Sequence, residues 1–365
     1  MNQKFAALLK NHSYFVQIKN TIMDTAKNIY IFLIIITTVV VLIYAQSIII
    51  PFILAVLFWV LIRVIKKLLL KIRFINRWPK WVLTIISSVL LFSLLLLTIQ
   101  LISQNIQILS NALPVYQENV SKVASLINER FKIDVFTMIT DYGKGINFAG
   151  LLSSLLTALT SLFGSAFTVL LYLLFILLEE PILPKKLKAM YPDKKKYEHI
   201  KSLVAKIDHS IGSYIALKTL VSLVTGFLSY FALLFIGVDA PLFWAFLIFV
   251  LNFIPTVGSL IATVFPTFFA ILQFGEFTPG FLVLGIVGSI QMVVGNFVEP
   301  KLMGNTLNIS PLVVFLTLAI WGVIWGITGM LLSVPITVIL IIIMSEFEGT
   351  RPFAILLSQQ GKLNE

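Results

Sequence analysis

The chain has 365 residues, 59% of them hydrophobic and only 12% charged, and its mean hydropathy of +1.00 lies far from that of soluble domains. Its net charge of +11 sits in short loops between apolar spans, which fits membrane orientation and contact with anionic lipid rather than nucleic acid, and with no cysteine there is no disulfide or thiolate chemistry. No segment has the length and balance of a separate soluble domain, so the sequence predicts one all-α, polytopic membrane domain.

Residues 1–27 carry charges and scattered apolar residues, with no small-residue cleavage site after the first apolar run, and are expected to remain as a cytoplasmic segment. Residues 28–105 form the N-terminal membrane helices. Within them the uncharged stretch Asn28 to Ile62 is interrupted at Gln46, Ser47 and Pro51, which predicts two short spans meeting near Gln46. Arg63, Lys66, Lys67, Lys71, Arg73, Arg77 and Lys80 follow without an acid among them, the mark of a cytoplasmic loop. A third span runs from Trp81 to about Asn105. In residues 106–150 acids and bases balance, and Val120, Val123 and Ile127 recur at helical spacing, predicting an external amphipathic segment. A fourth span covers 151–178. Residues 179–209 hold eight lysines, among them Lys194, Lys195 and Lys196, and read as a basic cytoplasmic amphipathic segment. A fifth span, about Ser210 to Ile236, follows.

Two later stretches have the wrong length. Pro241 to Gln273 and Pro311 to Ile343 each run 33 residues without a charge. A straight helix of that size would be ~50 Å long, against a hydrocarbon core of ~30 Å. Asn252, Pro255 and Gly258 break the first near its middle; Gly322, Gly326 and Gly329 break the second. Two helical hairpins that turn within the membrane and leave on the side they entered are predicted, since broken backbone at that depth must be buried in protein or line a wet cavity. A span from about Thr278 to Val298 separates them. The connections with Asp239 and Glu276 lack Lys and Arg, whereas that with Lys301 and the polar tail 344–365, with Arg351 and Lys362, are basic. Both termini are then cytoplasmic. Val238-Asp239-Ala240-Pro241-Leu242 echoes Asn308-Ile309-Ser310-Pro311-Leu312, and the prolines Pro266 and Pro335 fall at matching distances beyond. Residues 210–273 and 278–343 thus read as two span-plus-hairpin repeats of inverted orientation, a plan of secondary transporters. About eight membrane segments result.

Catalytic signals are sparse. The three histidines are not in ligand spacing and no phosphate-cradling glycine loop occurs, so neither metal nor cofactor is expected and a driving force must come from a gradient. Candidate pathway residues cluster at the breaks. Asn252, Pro255, Thr256 and Gly258 read either as a solute or ion contact or as a turn that caps helix ends. Trp321, Gly322 and Gly326 read as close helix packing or as a stacking surface for a substrate. Gln291, Asn296 and Glu299 end the span between the hairpins. Glu299 reads as a proton or cation carrier or a gate residue, or as an interfacial carboxylate paired with Lys301 or capping the next element. Lys218 reads as a snorkelling side chain or as a fixed charge for an anionic solute.

Asn252-Phe253-Ile254-Pro255-x-x-Gly258, then Asn296-x-x-Glu299-Pro300-x-x-x-Gly304, Ser310-Pro311-Leu312, Trp321-Gly322-x-x-Trp325-Gly326-x-x-Gly329 and Val334-Pro335 resemble the autoinducer-2 exporter family of bacterial membrane proteins. The resemblance covers residues 28 to 345 and is most specific over 211 to 340. It implies a bacterial cytoplasmic-membrane location, a homo-oligomeric, pentameric assembly, and export of a small furanone-type signal or related solute. Some relatives are described as sodium (lithium)/proton antiporters. The residues themselves offer amides, hydroxyls and aromatic walls, and no acid at a hairpin tip, which favours a small neutral or weakly anionic solute over a cation. A non-transporting membrane scaffold is the third reading, and broken backbone with Asn at the midplane argues against it.

Overall fold

The computed structural model describes residues 29–30, 32–131, 166–303 and 308–361. The expected segment 1–27, the outer part of 106–150, the start of the fourth span and Gly304 lie outside the described residues. The chain divides at Ile50 into two units. The first contains helix α1 (Phe32–Tyr44). The second begins within α2 (Gln46–Leu70), at the helix-interior Pro51, and includes everything that follows. Among the described residues the secondary structure is helical apart from one isolated bridge, and six helices are long and apolar enough to cross a membrane, or seven if a bent pair counts as one span.

Helix α2 runs on to Leu70, so Arg63, Lys66 and Lys67 are helical and the basic loop is shorter than the charges alone imply. Arg63 carries no acid near it in sequence, yet the fold supplies two. Its Nη1 lies 2.5 Å from Asp208 and its Nε 3.7 Å from Glu180, while the Trp59 indole donates to Glu180 at 2.8 Å. After a short 3-10 turn at Ile75–Arg77, α3 (Lys80–Phe131) is a single helix of 52 residues, roughly 78 Å long. The span expected to stop at Asn105 therefore continues, unbroken even by Pro114, into the segment read as external. α4 (Ala166–Glu179) is bent by 65° from α5 (Leu183–Met190).

α6 (Lys194–Ile236) joins the basic amphipathic segment and the fifth span in one helix of 43 residues. The Asp193 carboxylate accepts from the Lys196 backbone N–H at its start. At its end Gly237 adopts φ 84°, and its N–H reaches the carbonyls of Leu233 and Leu234. α7 (Pro241–Leu251), α8 (Val257–Phe274) and α9 (Phe277–Val293) follow. A π turn at Val294–Val298 leads to α10 (Glu299–Met303), then come α11 (Pro311–Glu346) and α12 (Arg351–Leu357).

Both overlong stretches fold back on themselves. Between α7 and α8 the reversal occupies Asn252–Thr256, with Thr256 at φ 57°. A Cβ on Gly258 would lie 1.8 Å from the Leu251 carbonyl oxygen. In α11 the helix breaks at Trp325 and at Gly326, whose φ of 61° and ψ of −140° suit glycine. A Cβ on Gly329 would lie 1.9 Å from the Trp321 carbonyl oxygen. Residues eight apart in a straight helix are separated by ~12 Å, so the chain must reverse there.

In lipid, helices associate through close packing and interhelical hydrogen bonds rather than through apolar burial alone. The largest core cluster joins Leu109 and Tyr116 of α3, Phe243, Trp244 and Ile248 of α7, and Phe269 of α8, and it extends to Val283 and Val287 of α9. A second joins Val60 of α2, Tyr214 and Ile215 of α6, and Val334 and Val338 of α11. α6 packs against both hairpins and α9.

Candidate functional site

One face of α6 is buried along most of its apolar length, and its polar members fall at helical spacing: Lys218, Ser222, Thr225 and Ser229. Gly226 on the same face lets α7 approach, since a Cβ there would meet the Ala245 carbonyl at 3.0 Å. The first hairpin's break lies against this stripe. Asn252, buried at 7% exposure, donates from Nδ2 to the Ser222 hydroxyl at 3.2 Å. Thr225 satisfies itself on the Val221 carbonyl at 2.9 Å. The Ser229 hydroxyl, the Tyr214 hydroxyl and the Gln291 amide nitrogen are buried without a protein hydrogen-bond partner. Such groups are costly in a low-dielectric interior.

The stripe carries a charge pair. Lys218 is 3% exposed and its ammonium donates to the Glu299 carboxylate. Both bland expectations are corrected here. Lys218 does not snorkel to the headgroups but is enclosed, and Glu299 pairs with Lys218 rather than Lys301. The π turn accounts for the placement of Glu299. Pro300 has no N–H to donate to Asn296, so the α-ladder is already interrupted at this point, and the wider turn rotates Glu299 toward α6. No metal-binding group of three or more His, Cys, Asp or Glu occurs among the described residues.

The remaining candidates separate. Pro255 is half-buried in the first turn, Thr256 is exposed, and Gly258 is buried where the two arms touch. Gln291 is buried in α9, and Asn296 is exposed on the π turn. Trp321 is half-buried, with its ring 4.8 Å from that of the buried Trp325; Gly322 faces Met330, 2.8 Å from where a Cβ would lie; Gly326 is exposed. The structure thus brings Asn252, Lys218 and Glu299 onto one helix face and leaves Thr256 and Asn296 at the surface. Tyr214, Ser222, Thr225 and Ser229 were not singled out from the sequence, although their spacing with Lys218 was the signal that could have found them.

A broken hairpin seated on a polar, charge-bearing helix inside an all-helical membrane domain is the architecture of a multi-pass membrane protein with a polar interior. The chain belongs to the AI-2E transporter family, whose model, described as AI-2E family transporter, matches residues 30–349. It is therefore a membrane transporter. It is 33% identical over 325 residues to the AI-2 transport protein TqsA of Escherichia coli (strain K12), covering 87% of this chain and 92% of that one. A putative transport protein of Borreliella burgdorferi is 35% identical over 258 residues, 69% of this chain and 70% of its own length. One of Haemophilus influenzae is 30% identical over 323 residues, 86% and 90% of the two chains.

Proposed function

We propose that this transporter exports a small polar solute of the autoinducer-2 furanone type from the bacterial cytoplasm, driven by a gradient rather than by ATP. The observation that carries the reading is Asn252, a buried amide at a helix break, hydrogen-bonded to a hydroxyl on the polar face of α6. A hydroxyl-rich solute needs such donors and acceptors at depth, and the similarity to a protein named for AI-2 transport points to the same class. Asn252, Gln291 and Trp321, with Ser222 opposite, line the path in this reading. The two hairpins are re-entrant and belong to inverted repeats, both termini are cytoplasmic, and the chain assembles as a homo-oligomer, a pentamer by family resemblance. Native mass measurement in detergent tests the last point.

The second reading, a sodium (lithium)/proton antiporter, is favoured by one observation, the enclosed Lys218–Glu299 pair. Purified protein in liposomes separates the two. Furanone flux that saturates, with no sodium- or lithium-driven proton movement, supports the export reading. Cation-driven proton movement with no furanone flux overturns it.

A further inference from the structure

The ion pair lies one helical turn below the proposed solute contact on the same face of α6, because Lys218 and Ser222 are four residues apart. Tyr214 lies one turn on the other side of Lys218, and its hydroxyl is buried without a protein partner. Lys218 therefore shares its face of α6 with a hydroxyl one turn to either side, and one of them, that of Ser222, accepts from Asn252. The carboxylate is the more exposed partner: the Glu299 side chain is 22% exposed, that of Lys218 only 4%. Glu299 also follows a π turn, a segment whose geometry departs from the α-ladder and is common at functional sites.

We infer that Lys218 and Glu299 form a proton–solute exchange switch, the coupling element of the export proposed above, on which this inference rests. With Glu299 ionised, the ammonium is held on the carboxylate, and Ser222, Asn252 and Tyr214 are available to a hydroxyl-bearing solute. A proton taken from water by a Glu299 oxygen ends the charge pairing, while Lys218 keeps its own proton. A buried ammonium without its counter-charge must find other acceptors, and the hydroxyls one turn away on its own face of α6 are those of Tyr214 and Ser222. The released ammonium then occupies the oxygens that the solute needs. Proton and solute exclude each other, which is the condition for exchanging one against the other.

Other ionisable groups on the surrounding elements are committed or distant in character. α7 has none, and α9 has none within its span. The acid of α11, Glu346, contacts His199 at 3.0 Å. On α2, Arg63 is held by Asp208 and Glu180, Lys66 donates to Thr84, and Lys67 is exposed. Lys301 of α10 is exposed.

The test has two arms. In the first, infrared difference spectra of the wild-type protein are recorded across an acid titration with protons as the probe and no solute. A protonated-carboxyl C=O band that is missing in Glu299→Gln supports the switch, whatever solute assays show. A wild type with no such band, or one unchanged in Glu299→Gln, overturns it even if furanone is transported. In the second, furanone binding is measured against pH. Affinity in the wild type falls about tenfold per pH unit on the acid side, as one linked proton requires. Glu299→Gln binds weakly at every pH. The double variant Lys218→Ala with Glu299→Gln, which leaves neither charge behind, regains the wild-type alkaline level at every pH. A double variant as weak as Glu299→Gln alone overturns the switch, because the loss then does not pass through the released ammonium.

Discussion

At Gly258 and Gly329 no side chain fits. A methyl group at either position would sit within 2 Å of a carbonyl oxygen from the opposing arm, at 1.8 Å and 1.9 Å, and in both turns the residue four earlier, Ile254 or Trp325, closes the remaining space at 3.0 or 3.1 Å. The obstructing atoms are backbone, which cannot rotate away. Gly258→Ala and Gly329→Ala are each expected to destabilise by about 2 kcal/mol or more, read as a drop in the thermal unfolding midpoint in detergent. Gly285, with nothing near its absent Cβ, is the control, and Gly285→Ala there is expected to leave stability unchanged or raise it by up to ~1 kcal/mol. In the proposed path Asn252 is expected to act on function more than on folding. Removal of one buried hydrogen-bond partner costs ~1–3 kcal/mol, so Asn252→Ala should weaken furanone binding roughly 5- to 150-fold in liposome transport or equilibrium binding. Unchanged affinity would remove Asn252 from the path. The sequence showed Asn252 at a break between helices but not its partner, because Ser222 lies thirty positions away on another helix.

The proposed path depends on the two hairpins. Each reversal leaves one position exposed at its tip, Thr256 in the first and Gly326 in the second. Because the chain has no cysteine, a single introduced cysteine reports without background. Thr256→Cys and Gly326→Cys are expected to react with a water-soluble thiol reagent in the folded protein, and added furanone should slow the reaction. Complete protection of both in every condition means that the tips are packed in lipid and line no cavity. At the other end of the first hairpin α3 acts as a strut. The Tyr116 hydroxyl donates to Asp239 at 2.9 Å, and the Asn119 amide donates to the carbonyls of Leu272 and Gln273 at 2.8 and 2.9 Å. The Gln273 side chain in turn accepts from the Asp239 N–H and donates to the Gly237 carbonyl. The second hairpin is held differently, by the end of α12 and the residues just after it: the Ser310 N–H donates to the Leu357 carbonyl and the Gln359 N–H to that of Asn308. The polar tail is thus a brace on the hairpin's opening. Its polarity was legible in the sequence, but the backbone pairing that employs it was not.

At the scale of the whole molecule the orientation rests on loop charge. Cationic loops are retained in the cytoplasm, so a reporter inserted after Lys196 is expected to be cytoplasmic and one after Asn147, which lies outside the described residues, external. The reverse result would overturn the layout and with it the sidedness of export. Length, hydropathy and the two uncharged 33-residue stretches determined from the sequence alone that this is a helical membrane protein with two broken helices. The ordered motifs from Asn252 to Pro335 were enough to indicate the family. These properties are local or periodic, written in runs of neighbouring residues. What only the tertiary structure decided are the pairings across distance: Arg63 with Asp208 and Glu180, Asn252 with Ser222, and above all Lys218 with Glu299, 81 positions apart. A lysine within a span and a carboxylate at the end of another each have a harmless local explanation, and the sequence has no means of choosing. Their meeting is set by the packing of α6 against α9 and by the π turn before Glu299, and it makes one ion pair of two ordinary charges.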